Sequence, residues 1–149
     1  MVSSTPTALK LRASYACNTD VVLADYALAR GMRALPYSTN MTTSPATYMV
    51  LRKEKCEDVH AVRLVRATVL SEVMWNFIEA MGLSVDLFEH GLSRGNLLFL
   101  QLLVDSLKLQ KKTNPVFTDS QDALLGAKRP RTKGKNADLI VRGFGKRGL

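Results

Sequence analysis

The sequence predicts a mainly α protein: a small helical bundle with room for a short N-terminal β-hairpin and a disordered basic C-terminal tail. Three observations predict it. Val62, Val65, Val69, Val73, Phe77 and Met81 recur at three- and four-residue steps, the spacing of one helix face. Leu97 to Leu109 holds eight Leu or Val in thirteen positions. Beyond Pro115 the periodic apolar face ends, and the composition turns to basic residues and glycine. The boundaries this implies are a helical domain over 1–114 and a basic flexible tail over 115–149.

Each element follows from local chemistry. Residues 1–6 read as a loose end. Leu9, Leu11, Ala13 and Tyr15 alternate with Lys10, Arg12 and Ser14, the period of a half-buried strand. Asn18, Thr19 and Asp20 offer capping oxygens before Val21, Val22, Ala24, Leu28 and Met32, so a helix is expected over 20–34, stopped by Gly31 and Pro36. A loop rich in Ser, Thr, Asn and Pro follows over 36–46. Residues 47–52 form either a second strand paired with the first or the run-in to the next helix. The long helix, expected over 57–81, has Leu70, Met74 and Ile78 widening its stripe and Gly82 as its C′ residue. Ser84 and Asp86 begin a short turn that Gly91 ends.

Ser93 or Asn96 then caps a strongly apolar helix to about Lys112, with Leu97, Leu98, Leu100, Leu103, Val104 and Leu107, in which Leu100, Leu103, Val104 and Leu107 define one line. Lys108, Lys111 and Lys112 suit the negative end of its dipole. Leu98, Leu102 and Leu109 lie off that line, and a helix apolar nearly all round must be covered on most sides. Self-association is the expected cover, making the protein a homo-oligomer. In the last segment Leu139, Ile140 and Val141 stand as a lone apolar trio.

Composition narrows the class. At 149 residues, 46% hydrophobic and 23% charged, the chain reads as one soluble globular unit. Its apolar runs fall far short of the ~18 residues a membrane span needs, so no membrane is expected as a partner. No basic stretch followed by an apolar core opens the sequence, which argues against a secretory signal. Cys17 and Cys56 are too few for a disulfide scaffold and read as reduced thiols.

Charge carries the functional expectation. From Gly126 to Leu149 there are eight cations against one acid, Asp138, a net +7 out of +8 for the whole chain. A near-neutral body with a concentrated cationic end suits a polyanion, because such an end displaces counterions from phosphates. The candidate nucleic-acid-binding residues are Lys128, Arg129, Arg131, Lys133, Lys135, Arg142, Lys146 and Arg147. A second, looser group is Arg52, Lys53, Arg63 and Arg66. Lys128 to Lys135, interrupted by Pro130, also has the extended cationic character of a nuclear import signal.

Other motifs carry less. Gly143-Phe144-Gly145-Lys146-Arg147-Gly148 spells G-x-G-x-x-G, but the dinucleotide fingerprint needs a helix opening after the glycines, and none follows. Those glycines read as a flexible Arg/Gly end. Cys56 and His60 lie four apart, yet a tetrahedral zinc site would need Cys17 and His90 as well, and no C-x-x-C pair is present. No metal or other cofactor is therefore expected. The acids, Glu72 and Glu79 among them, read as caps and solvated faces, and no nucleophile elbow or P-loop is present. An enzyme is not expected.

The reading that follows is a small nucleic-acid-binding protein, for RNA ahead of DNA, of the viral accessory or nucleocapsid-like kind. It would reside in nucleus and cytoplasm, its helical body setting the oligomeric state and its basic arm binding phosphates. The alternative is a protein-interaction adaptor whose body binds a partner and whose tail serves only a nuclear import receptor.

Overall fold

The structure is a computed structural model that describes residues 20–29, 31–53, 59–88, 91, 93–111, 113–132 and 135–149. For Arg52, Lys53, Arg131 and Thr132 it describes the backbone alone. Its helices are α1 (Tyr48–Lys53), α2 (Val59–Met81), α3 (Gly95–Leu109), α4 (Phe117–Thr132) and α5 (Ala137–Lys146). The mainly α bundle expected from the sequence is what forms.

Helix α2 is the centre, with α3 and α5 packed against it and α4 packed against both of those. The predicted stripe faces inward: Val65, Val69, Val73 and Phe77 are fully buried, and Val62 and Met81 pack at its margins. Burying side chains of this size contributes roughly 1.5–3 kcal/mol each, which outweighs the weak helix propensity of the valines. Gly82 ends α2 as expected, at φ +79°, its N–H donating to Ile78 O at 2.7 Å.

Helix α3 buries Leu97 and Leu98 as expected, but of the line Leu100, Leu103, Val104 and Leu107 only Leu103 packs against the core. Leu97, Leu98, Phe99, Leu102 and Ser106 are buried, whereas Leu100, Val104 and Leu107 are exposed. A helix apolar all round has no unique inward stripe, so the small residue decides. At Gly95 a Cβ would run into the Phe77 carbonyl, which fixes that side of α3 against α2. Leu98 and Leu102 are thus covered within the chain, while Leu109, like Leu100, Val104 and Leu107, stays exposed. Asn96 is not a cap. Its side-chain amide pairs with the Ser84 backbone in both directions at 2.9 Å, while Arg94 stands at the N-cap position without a side-chain bond.

Two further expectations give way. The described residues of 20–34 do not form a helix: Val21 and Tyr37 exchange both backbone bonds, at 2.9 and 2.8 Å, and Ala24 turns the chain at φ +62°. Residues 47–52 do not form a strand, since 48–53 are helical as α1. The first strand of the expected hairpin lies outside the described residues.

The basic C-terminal segment forms two helices docked on the bundle, where disorder was expected. In α4, Ala123, Leu124 and Ala127 are buried, and in α5 Leu139, Ile140 and Phe144 are. Asp119 helps start α4 by accepting from the Val116 N–H at 2.9 Å, a bond from the third helical position back to the N-cap. Gly143 lies on the contact face, where a Cβ would meet Val73 Cγ2 at 2.6 Å and Val73 N at 3.0 Å. The glycine that read as flexibility is a close helix crossing.

Candidate functional site

A polar stripe runs along α2 beside its apolar one. Thr68, Glu72 and Asn76 stand four residues apart and are all buried. Thr68 satisfies itself on Leu64 O at 2.8 Å, while the other two meet the C-terminal helix. Asn76 donates to Leu139 O at 2.9 Å and accepts from Arg142 Nη2 at 2.8 Å. The Glu72 carboxylate, 2% exposed, accepts from Arg147 Nε and Lys146 Nζ, each at 2.9 Å, and from Arg147 Nη2.

Arg147 is completely buried and does more than neutralise Glu72. Its guanidinium also donates to the carbonyls of Ser38, Ser44 and Ala46, and Lys146 Nζ donates to Thr39 O at 2.7 Å. The planar guanidinium fork, with five N–H donors, meets the carboxylate and three carbonyls together, more acceptors than the three donors of a lysine can serve. Two adjacent cations therefore tie the loop over 38–46 to the middle of α2. The Tyr48 N–H bonds Arg147 O at 2.8 Å, closing the same junction.

Lys128, on α4, is 1% exposed, with its ammonium 4.6 Å from the centre of the Phe77 ring and bonded to Asn136 O. Burial pushes its pKa down to about 8, partly offset by the charge of Asp138. Between about pH 8 and 10.5 the folded protein binds fewer protons here than the unfolded chain, so this group's contribution to stability rises with pH across that window. Below about pH 8 the penalty for burying the charge is complete and constant. Thermal melts of the wild type should gain in Tm between pH 8 and 10.5 relative to Lys128→Met. Parallel curves would mean the amine is not desolvated.

The expected phosphate-binding cations are thus dispersed or engaged. Lys128, Lys146 and Arg147 are structural. Arg142 reaches Asn76 and, at 3.7 Å, the exposed Glu79, a surface pair worth little. Arg129, Lys135 and Arg63 are exposed. Arg66 donates to Ser120 Oγ at 2.9 Å and covers the Phe117 ring. Lys133, and the side chains of Arg52, Lys53 and Arg131, lie outside the described residues. Sequence reasoning missed Glu72, which reads there as a solvated acid, although its four-residue spacing from Thr68 and Asn76 is visible.

At the other end of α2, Arg33 Nη1 donates to His60 Nδ1 at 2.9 Å. A guanidinium has no acceptor, so Nδ1 is the acceptor in this bond. His60 is exposed at the start of the helix. Cys17, Cys56 and His90, the rest of the tetrahedral zinc set, lie outside the described residues. No group of three His, Cys, Asp or Glu side chains able to hold a metal occurs among the described residues. Nor is any helix there long and apolar enough to cross a membrane.

Comparison with known proteins redirects the functional reading. A profile of the family described as fungalysin metallopeptidase (M36) matches residues 4–149. The extracellular metalloproteinase 2 of Trichophyton rubrum is 36% identical over 149 residues, covering 96% of this chain and 23% of that protein. The extracellular metalloproteinase 1 of Trichophyton equinum is 40% identical over 124 residues, covering 80% of this chain and 20% of that protein. The chain spans under a quarter of the length of these curated relatives. These matches overturn the nucleic-acid reading, RNA or DNA, and with it the viral, nuclear and import-receptor expectations and the adaptor alternative. They likewise overturn the expectation that no enzyme is involved and the placement in nucleus and cytoplasm. Net charge was the misleading signal, since much of it is committed to internal bonds.

Proposed function

The chain belongs to the fungalysin metallopeptidase family, and on that premise we propose that it acts as a helical part of a metallopeptidase working outside the cell on peptide substrates. The observation that carries this is the match across nearly the whole chain to extracellular metalloproteinases.

The described residues do not fit the metal itself. The helical H-E-x-x-H of zinc peptidases sets two histidines four apart, whereas His60 and His90 are thirty apart. With no three-ligand cluster among the described residues, the metal's donors are assigned to other parts of such an enzyme. What this chain contributes is a rigid support and, at the start of α2, the Arg33–His60 pair. An exposed imidazole at the head of the central helix, oriented through Nδ1 by Arg33, is placed to meet a peptide substrate.

The test grafts residues 4–149 in place of the matched segment of the Trichophyton rubrum proteinase. A secreted, cooperatively melting chimera should hydrolyse casein in a chelator-sensitive way. In it, His60→Ala should lower kcat/KM by roughly 100-fold, the scale of losing one donor to a developing negative charge, while leaving metal content unchanged. A folded, metal-loaded chimera without proteolysis would contradict the proposal.

A further inference from the structure

A cavity of about 70 Å³ opens between α2, α3, α4 and α5, walled by Val69, Leu70, Leu103, Leu107, Leu124 and Phe144. Its polar groups gather on one side, where Arg66, Gln110 and Ser120 meet. Ser120 Oγ accepts from Arg66 Nη2 at 2.9 Å and from Gln110 Nε2 at 2.7 Å. Two donors occupy both acceptor positions of that hydroxyl, which leaves its own O–H to donate. Arg66 Nε is buried with no hydrogen-bond partner, and no carboxylate among the described residues pairs with this guanidinium. Ser106, also on the lining, is satisfied on Leu103 O at 2.7 Å.

The lining therefore presents a positive charge with an unmet N–H, a hydroxyl with a proton to give, and apolar walls. A buried donor left without an acceptor is costly, and a charged acceptor would offset that cost. We propose that this cavity binds a small aliphatic carboxylate, its carboxylate on Arg66 and Ser120 and its branched alkyl group against Val69, Leu70 and Leu124. The size agrees. A cavity needs on the order of 10–15 Å³ to hold one water, and one of about 150 Å³ holds benzene, so 70 Å³ suits a three- or four-carbon group. Both a free branched acid and the C-terminal residue of a peptide ending in valine carry that chemistry.

The experiment titrates the full chain with isobutyrate, with N-acetylglycyl-valine and, as the neutral control, with isobutyramide, following backbone amide shifts by NMR. Isobutyrate should move the amides of Arg66, Gln110 and Ser120 saturably and bind about 10- to 100-fold more tightly than isobutyramide, the scale of a charge-assisted hydrogen bond. Equal or tighter binding of the dipeptide would identify a peptide end as the source, and binding of isobutyrate alone a free acid. Either supports the site. Leu70→Phe, which fills the cavity, should abolish binding while the melt stays cooperative, and Arg66→Met should remove the preference for acid over amide. No saturable shift with either acid, or equal binding of acid and amide, would overturn the proposal, as would undiminished binding in a folded Leu70→Phe. Proteolysis is not read, so failure here leaves the peptidase reading untouched.

Discussion

Arg147→Met should lower stability by about 3–5 kcal/mol, the cost of leaving a buried carboxylate without its main partner. For a chain of this length that corresponds to roughly 10–15 °C in Tm. The effect is large because Arg147 is fully buried and serves Glu72 together with the carbonyls of Ser38, Ser44 and Ala46. Lys146 still touches Glu72 at 2.9 Å, but its side chain is 41% exposed and it reaches the loop only at Thr39. Adding Glu72→Gln to Arg147→Met should recover part of the loss, because the orphaned charge is then gone. Both shifts should be nearly independent of salt, since a buried pair is poorly screened. A loss below about 1 kcal/mol would mean Arg147 is a surface cation after all.

Gly95→Ala should be nearly as damaging. Alanine is the better helix former by about 1 kcal/mol, yet its Cβ would enter the backbone of α2 at Phe77 and force the two helices apart. Overpacking of this kind costs typically 1–3 kcal/mol and more where backbone must move, so a net loss of about 3 kcal/mol is expected. Gly145 supplies the control. It sits within α5, where a Cβ would meet nothing within 4 Å, so Gly145→Ala should stabilise by roughly 0.5–1 kcal/mol. Opposite signs in chemical denaturation are the expected result, and a stabilising Gly95→Ala would show that α3 does not cross α2 there.

Some of this fold is legible in the sequence, and the rest is hidden for identifiable reasons. Helix α2 is visible because Val65, Val69, Val73 and Phe77 keep one period over more than three turns. Helix α5 carries the same signal in Leu139, Ile140, Gly143 and Phe144, but it is only ten residues long and holds two glycines. Tertiary packing, not propensity, makes it a helix. In α4, Pro130 and the neighbouring cations conceal the spacing of Ala123, Leu124 and Ala127. The reverse error falls on 20–34, where a helical spacing is outweighed by the Val21–Tyr37 bridge. Function is hidden more deeply. The metal-binding pattern of a peptidase is absent from these residues, and Arg147 and Lys128 count as free charge in the sequence although the fold buries both.

The basic end of the chain belongs to the core, and native-state hydrogen exchange of the α5 amides tests this most directly. Protection should extend across Ile140 to Lys146, with the amides of Ile140 and Phe144 opening at free energies close to those of Val69 and Val73 in α2. Exchange of the α5 amides at the rate of an unstructured chain, while α2 stays protected, would contradict it.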